Sequence, residues 1–493
     1  MYRLLIYYLV GLLGVSFVLA VFKDISYNPF AILVSSGLLV GACYFINKML
    51  ANIFDAPTGS DSAIISGLIL ALIISPTLGL YNILFFLSAA GLAMASKYVL
   101  TIKKKHIFNP AAIAVVLTAL GPRQSASWWV GTSVLLPFVI IGGVLLVRKI
   151  HRSRMVITYL IATTLSTIFF AFISKTSVST SIHDMIFSSS VFFLGFVMLT
   201  EPLTSPVTQR KQSIYAMIVG FLLPPQVHFF NLYTTPEISL VIGNIYSFIV
   251  SPKVRILPTL IKKERITPDS VDFIFEPDKN FQYSPGQYME WTIPHLNTDS
   301  RGNKRYFTLA SSPTETNIRL GIKFYNNGSS FKEAMLAVNR NSMVAASHLA
   351  GDFVMPANPR EKLAFIAGGI GITPFRSMTK YLLDKNQRRD IVLLYSVKRV
   401  EDLSYKNIFD RAASELGMRV FYFLTDKGSK LAGRNLVEGR ITGERVIEYV
   451  PDYRERIFYL SGTNAMVANT KRALMKIGVP RNQIKQDYFS GYS

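Results

Sequence analysis

A chain of 493 residues that is half hydrophobic, with mean hydropathy +0.33 and net charge +22, is too apolar for an ordinary soluble protein and long enough for several domains. Its basic balance is not that of a nucleic-acid binder, since zinc-finger spacing, a basic heptad region and an aromatic RNA-binding signature are all missing; attraction to an anionic lipid bilayer accounts for it. The single cysteine, Cys43, excludes an intrachain disulfide and a four-cysteine iron–sulfur cluster.

Charge divides the chain. Residues 1–250 hold 15 Lys/Arg and six Asp/Glu, whereas residues 251–493 hold 37 and 24. The first half predicts a polytopic α-helical membrane domain over 1–250. Its apolar segments lie near 3–22, 28–47, 62–75, 78–96, 109–120, 128–147, 155–174, 184–199, 212–224 and 236–250. The start, Met1-Tyr2-Arg3, lacks a small-residue cleavage site and reads as a retained span. Segments 62–75, 109–120 and 212–224 are short for a crossing and read as broken or re-entrant helices.

Loop charge sets the orientation. With the N-terminus in the cytoplasm, inside loops carry Arg3, Lys48, Lys97, Lys103, Lys104, Lys105, Arg148, Lys149, Arg152, Arg154, Arg210 and Lys211; outside loops carry Lys23, Arg123 and Lys175. This positive-inside bias predicts a multi-pass cell (plasma) membrane protein with an even number of crossings and both termini cytoplasmic. Asp24, Asp55, Asp61, Asp184, Glu201 and Glu237 all fall in or beside loops, so the sequence predicts no buried carboxylate relay for protons or sodium.

Two loop motifs carry chemistry. In Lys105-His106-Ile107-Phe108-Asn109-Pro110-Ala111, Asn109 is placed to cap a helix with Pro110 in its first turn. Thr200-Glu201-Pro202-Leu203-Thr204-Ser205-Pro206 follows an apolar run. Ordinary cap and turn chemistry explains both; so does a cradle of helix N-termini and polar side chains for an anionic redox ligand, with His106, Asn109 and Thr204 as candidates. These motifs, with Ser62–Leu72, resemble subunits B and D of the sodium-translocating NADH:quinone reductase and Rnf complexes. The resemblance implies a roughly ten-helix redox module holding flavin. The Ser-Gly-Ala-Thr tetrapeptide for covalent FMN is missing, which leaves a non-covalent flavin or a quinone.

In the second half, strand-like runs and turns such as Ser284-Pro285-Gly286-Gln287 and Asn326-Asn327-Gly328 predict an antiparallel β-barrel over 252–355, beginning at Val254-Arg255-Ile256-Leu257. Strands at Leu363–Ala367, Ile391–Tyr395, Val420–Phe423 and Ile457–Leu460, alternating with helical stretches, predict a doubly wound α/β domain over 356–493. In Arg305-Tyr306-Phe307-Thr308 an arginine suits a pyrophosphate, an aromatic ring a flavin, and a hydroxyl a flavin nitrogen. Gly328-Ser329-Ser330 opens a helix whose free amides suit a phosphate. Gly368-Gly369-Ile370-Gly371-Ile372-Thr373 joins a strand to a helix and permits close backbone approach to a dinucleotide; Ser461-Gly462 lies in a second such turn.

Together these motifs resemble the ferredoxin–NADP reductase superfamily over residues 252–493. The resemblance implies FAD, with NADH or NADPH as substrate. It assigns Arg305 to the FAD pyrophosphate, Phe307 to the isoalloxazine, Thr308 to its N5, and Ser330 to a helix cap toward the phosphate. It assigns Gly368, Gly369, Gly371 and Thr373 to the nicotinamide nucleotide. Ser461 stands where many members have cysteine, and Phe489 and Tyr492 would cover the flavin. The implied enzyme passes electrons from NAD(P)H through FAD to an unidentified acceptor in the membrane half. Two alternatives remain. A haem ferric reductase or NADPH oxidase needs paired histidines in the spans, and no predicted helix holds two. A transporter with a redox-sensing domain would show no electron storage in its membrane half.

Overall fold

The computed structural model describes residues 2–487 apart from 55–59, 103–104, 122–123, 188–189, 230–231, 253, 297, 300–301, 326–327 and 427–434. The chain forms two compact units that meet in sequence between Ser251 and Pro252.

The first unit is helical: α1 Tyr2–Val21, α2 Pro29–Ile53, α3 Ser60–Ile73, α4 Leu80–Val99, α5 Pro110–Leu120, α6 Leu136–Lys149, α7 Ser153–Ile173, α8 Val178–Phe187, α9 Val191–Phe193, α10 Gln209–Phe221 and α11 Pro236–Val250. Hairpins β1–β2 (Thr101–Ile102, Lys105–His106) and β3–β4 (His228–Phe229, Leu232–Tyr233) join some of them. One starting device recurs. Asn28, Asn109 and Thr235 each accept a backbone N–H with the side chain, and proline follows at the first helical position of α2, α5 and α11.

Among the described residues four helices are long and apolar enough to cross a membrane: Arg3–Val21, Pro29–Ile53, Leu80–Val99 and Ser153–Ile173. The 14, 11 and 15 residues of α3, α5 and α11 reach only about 16–22 Å at about 1.5 Å per residue, short of an apolar core of about 30 Å. Helix α3 is apolar all round and buried from Ile65 to Ile73, the mark of a helix enclosed by others.

Three expectations are corrected. The segment expected at 128–147 opens with a short 3-10 turn, Trp129–Gly131, and becomes α-helical only at Leu136. Trp128 takes a left-handed φ of 52°, and the backbone N–H groups of Ser127 and Trp128 cap α3 at the Ile73 carbonyl. The segment expected at 184–199 divides into α8 and α9, and α9 continues as a π-helical turn, Leu194–Met198. Two of the cations assigned to inside loops, Lys97 and Arg152, are buried at 8% and 7% exposure and bonded to serines. Positions 55, 103, 104 and 123 lie outside the described residues.

The second unit opens with two antiparallel sheets. One has the order β10-β7-β6 (Ile318–Lys323, Ser270–Glu276, Thr259–Thr267); the other β5-β11-β8-β9 (Arg255–Ile256, Ala345–Ala350, Tyr288–Thr292, Lys304–Thr308). Phe273, Phe275, Trp291 and Leu320 fill the space between them, with Phe331 of α12 (Ser330–Ala337). Gly286, at φ +95°, makes the turn that the sequence predicts there.

A six-stranded parallel sheet follows, in the order β15-β14-β13-β12-β16-β17 (Leu436–Glu438, Arg419–Leu424, Ile391–Val397, Leu363–Gly368, Ile457–Ser461, Ile484–Gln486). Helices α13 Thr373–Asp384, α14 Lys406–Leu416, α15 Gly443–Tyr449 and α16 Asn464–Lys476 alternate with its strands. Strand order reverses between β12 and β16, and in open α/β sheets ligands bind at such a reversal, outside the strands' carboxyl ends. A charged seam joins barrel to sheet. Arg376 of α13 pairs with Glu315 through both guanidinium nitrogens, one of them at 2.9 Å, and donates to the Ala310 carbonyl. Ser377 Oγ donates to the Ser311 carbonyl at 2.6 Å. Asp272, fully buried, accepts from Arg319 at 2.9 Å and from Tyr405 at 3.2 Å.

Candidate functional site

Two strand-to-helix turns lie side by side at the reversal. Ala367 of β12 is in register with Ser461 of β16. Gly369 has φ +54°, the left-handed region that favours glycine. A side chain at Gly371 would put its Cβ 2.6 Å from Gly462 N and from the Ser461 carbonyl, so the turns touch through backbone alone. Gly368 ends β12, and Thr373 opens α13 with its hydroxyl donating to the Ile370 carbonyl at 3.2 Å. The predicted nucleotide-loop residues therefore come together.

The barrel supplies β9. Arg305 and Phe307 lie on one side of it against Phe331: the guanidinium is 5.3 Å from that ring and the two phenyl rings are 5.8 Å apart. Arg305 also binds both Asp299 oxygens, at 2.9 and 3.0 Å. The opposite side carries Tyr306, whose hydroxyl donates to Glu290 at 2.9 Å, and Thr308. Gly328 precedes α12, but the cap is Ser329, whose side chain accepts from the Lys332 N–H. This corrects the assignment to Ser330. Ser330 is the first helical residue, and its hydroxyl accepts from the Asp299 N–H at 2.9 Å and meets His295 Nε2 at 3.1 Å.

Asp487, just after β17, was not anticipated. Its Oδ2 accepts from Ser461 Oγ at 3.0 Å. Burial pushes its carboxyl up to about 7, opposed by the Ser461 and Thr308 hydroxyls. The residue is half-buried overall, but Oδ1 is shut off from solvent without a hydrogen-bond partner, as is Thr308 Oγ1. Orphaned buried polar atoms of this kind call for a missing partner. These polar atoms, side by side at the reversal, would offer partners to a flavin ring edge, and Arg305 with the α12 amides would offer donors to its diphosphate. The available signal was the carboxylate directly ahead of the aromatic tail. Phe489 and Tyr492 lie outside the described residues.

The membrane-half candidates fall in the first unit. Asn109 caps α5 as expected, accepting from the Ala112 N–H at 3.0 Å. Its Nδ2 and Thr204 Oγ1 both donate to Glu201 Oε2, at 2.8 and 3.0 Å. Asn244 accepts the Asn109 N–H at 2.8 Å and donates to Tyr215 at 3.1 Å. His106 lies on the β1–β2 hairpin. Two of the carboxylates expected in or beside loops are enclosed by the protein. Glu237 is 3% exposed and accepts from Trp128 Nε1 at 2.9 Å, and Glu201 is held by side chains from two segments. A loop position in the sequence does not make a residue solvated when the loop folds inward.

A barrel followed by a parallel sheet with glycine turns at its reversal defines an oxidoreductase module of the kind that binds FAD and NAD(P)H. The apolar helical unit ahead of it makes the chain a membrane protein. Residues 365–472 match the oxidoreductase NAD-binding domain family, and residues 126–235 match the NQR2, RnfD, RnfE family. The second match includes Thr200–Pro206; Ser62–Leu72 and His106–Ala111 precede it. The chain is 23% identical over 239 residues to a flavohemoprotein of Oceanobacillus iheyensis, covering 47% of this chain and 58% of that one. It is 26% identical over 221 residues to an NADPH oxidoreductase of Mycobacterium tuberculosis, covering 43% and 55%. It thus spans little more than half the length of these curated relatives. The flavohem-like FAD/NAD binding domain of nitric oxide dioxygenase from Vibrio cholerae aligns over 48% of this chain and 98% of its own, at 18% identity and TM-score 0.41.

Proposed function

We propose that the chain is a membrane-bound oxidoreductase that passes electrons from NADH or NADPH through FAD to an acceptor in its helical unit. The convergence of Thr308, Ser461 and Asp487 at the sheet's reversal carries this reading. FAD, when bound, accepts two electrons as hydride and releases them singly. Arg305 exchanges Asp299 for the diphosphate, and the amides from Gly328 to Ser330 add donors at the start of α12. Tyr306 is fixed by Glu290 on the Thr308 side of β9 and walls the ring's surroundings. The Gly368–Thr373 turn and Gly462 take the nucleotide backbone. Thr308 and Ser461 orient the reacting ring edges, and Asp487 holds a proton beside them. Phe489 and Tyr492 are positioned by sequence to cover the ring.

The NQR2, RnfD, RnfE match supports an acceptor in the first unit, a non-covalent flavin or a quinone. The remaining cationic loops support a multi-pass plasma-membrane protein with cytoplasmic termini, where nicotinamide nucleotides are found. Anaerobic titration of the purified full chain with NADH and with NADPH, with flavin identity and stoichiometry measured, tests the reading. About one FAD per chain and a second redox species are expected. A chain without FAD, or with FAD that neither nucleotide reduces, overturns it.

A further inference from the structure

Lys97, in the last turn of α4, is buried in the first unit. Its ammonium donates to both oxygens of Ser62, the hydroxyl at 3.1 Å and the carbonyl at 3.0 Å. Ser62, Ser66, Asn109, Thr200 and Glu201 line a cavity of about 30 Å³. That is room for a water molecule or two and far too little for a flavin ring. Glu201 follows the π-helical turn Leu194–Met198, a feature frequent at functional sites. The two charges lie within electrostatic reach of each other. The other titratable groups facing them are Cys43 of α2, beside Lys97, and Tyr215 of α10, beside Glu201; Arg152, just before α7, faces Tyr215.

A structural buried ion pair closes on itself, because each charge left without direct contact costs several kcal/mol of desolvation. Here the ammonium binds serine oxygens, the carboxylate binds an amide and a hydroxyl, and a small cavity lined by both polar and apolar side chains reaches the carboxylate. We propose that this cavity is a proton-binding site: its water delivers one proton to the Glu201 carboxylate when the acceptor in this unit gains one electron. The inference rests on the electron path proposed above. One electron arrives from the flavin side, one proton arrives from the aqueous phase, the carboxylate becomes a carboxylic acid, and Lys97 keeps its proton. The unit's net charge is unchanged by the pair of events. Burial pushes the Glu201 carboxyl up, and the Thr204 hydroxyl, Lys97 and Asn109 oppose that rise.

The full chain in lipid nanodiscs tests this by anaerobic redox titration at several pH values, with infrared difference spectra of reduced minus oxidised protein. In the wild type the acceptor's midpoint should fall tenfold in equilibrium constant per pH unit, about 59 mV for one electron, and a protonated-carboxyl band should appear on reduction. Glu201→Gln should abolish the band and flatten the midpoint. Lys97→Met should also remove the band from the difference spectrum, because Glu201 is then protonated before reduction; this variant carries the test should the first not fold. A band that survives in Glu201→Gln, or a wild-type midpoint indifferent to pH, overturns the proton site alone. A wild type in which FAD is reduced but no second redox species appears overturns the electron path as well.

Discussion

Replacing Asp487 by Asn tests whether its carboxyl is held neutral beside Thr308 and Ser461. Below pH 3.8 this carboxyl is protonated in the folded and the unfolded chain alike. Between 3.8 and about 7 the folded chain keeps the proton and the unfolded chain loses it. Stability therefore falls as pH rises through that window, and levels off above it. At about 1.4 kcal/mol per pH unit the loss reaches about 4 kcal/mol, an upper bound because Asp487 is half-buried as a residue. Asp487→Asn should remove this component of the pH dependence and leave the flavin-free chain the more stable of the two above pH 7. Thermal unfolding of both proteins across the window, followed by near-ultraviolet circular dichroism, measures it. In the FAD-loaded protein, rapid mixing with NADH should show an ionisation in the wild type that the variant lacks. Parallel stability curves for the two proteins would refute the reasoning, because the carboxyl would then be ionised at ordinary pH.

Arg305→Leu should weaken FAD retention about tenfold to hundredfold, the worth of about 1.5–3 kcal/mol of charge-assisted bonding, read as bound flavin per chain after dialysis. Gly371→Ala should destabilise the second unit by about 1–3 kcal/mol, because the new Cβ meets backbone that cannot yield; nucleotide KM should rise with it in steady-state assays. The double change Asn109→Leu with Thr204→Val strips Glu201 of two donors and should slow reoxidation of FAD in lipid. Equal reoxidation rates in rapid mixing would count against an electron path past this cluster. Labelling of single cysteines placed near the C-terminus should succeed from the cytoplasmic side of sealed vesicles and fail from the other.

The strands of the second unit were legible because apolar runs bounded by turn residues have few alternatives, and Leu363, Ile391, Val420 and Ile457 fall in or at the start of the strands expected for them. The glycine turns were legible for the same local reason. What stayed hidden was long-range. Asp487 gains its meaning from Ser461, 26 residues away, and from Thr308 on a barrel strand. Lys97 read as a loop cation because hydropathy reports composition, not which face of a helix turns inward. Trp128 read as the start of a helix because an apolar residue that caps a neighbouring helix has the same hydropathy as one that spans.

The charged seam between barrel and parallel sheet has a consequence for how the second unit comes apart. Arg376 is matched by Glu315, and Tyr405 by Asp272, only while both halves are in place, whereas Arg319 pairs with Asp272 and Glu315 within the barrel itself. Were the barrel to melt alone, it would strand Arg376 at a surface shaped to exclude water, costing several kcal/mol for the uncompensated ion. Barrel and sheet should therefore unfold in a single cooperative step, and intermediates with one half intact should be scarce. The same rule acts on heredity: a change that loosens the barrel loosens the nucleotide turn too, so the two halves cannot drift in sequence independently of one another.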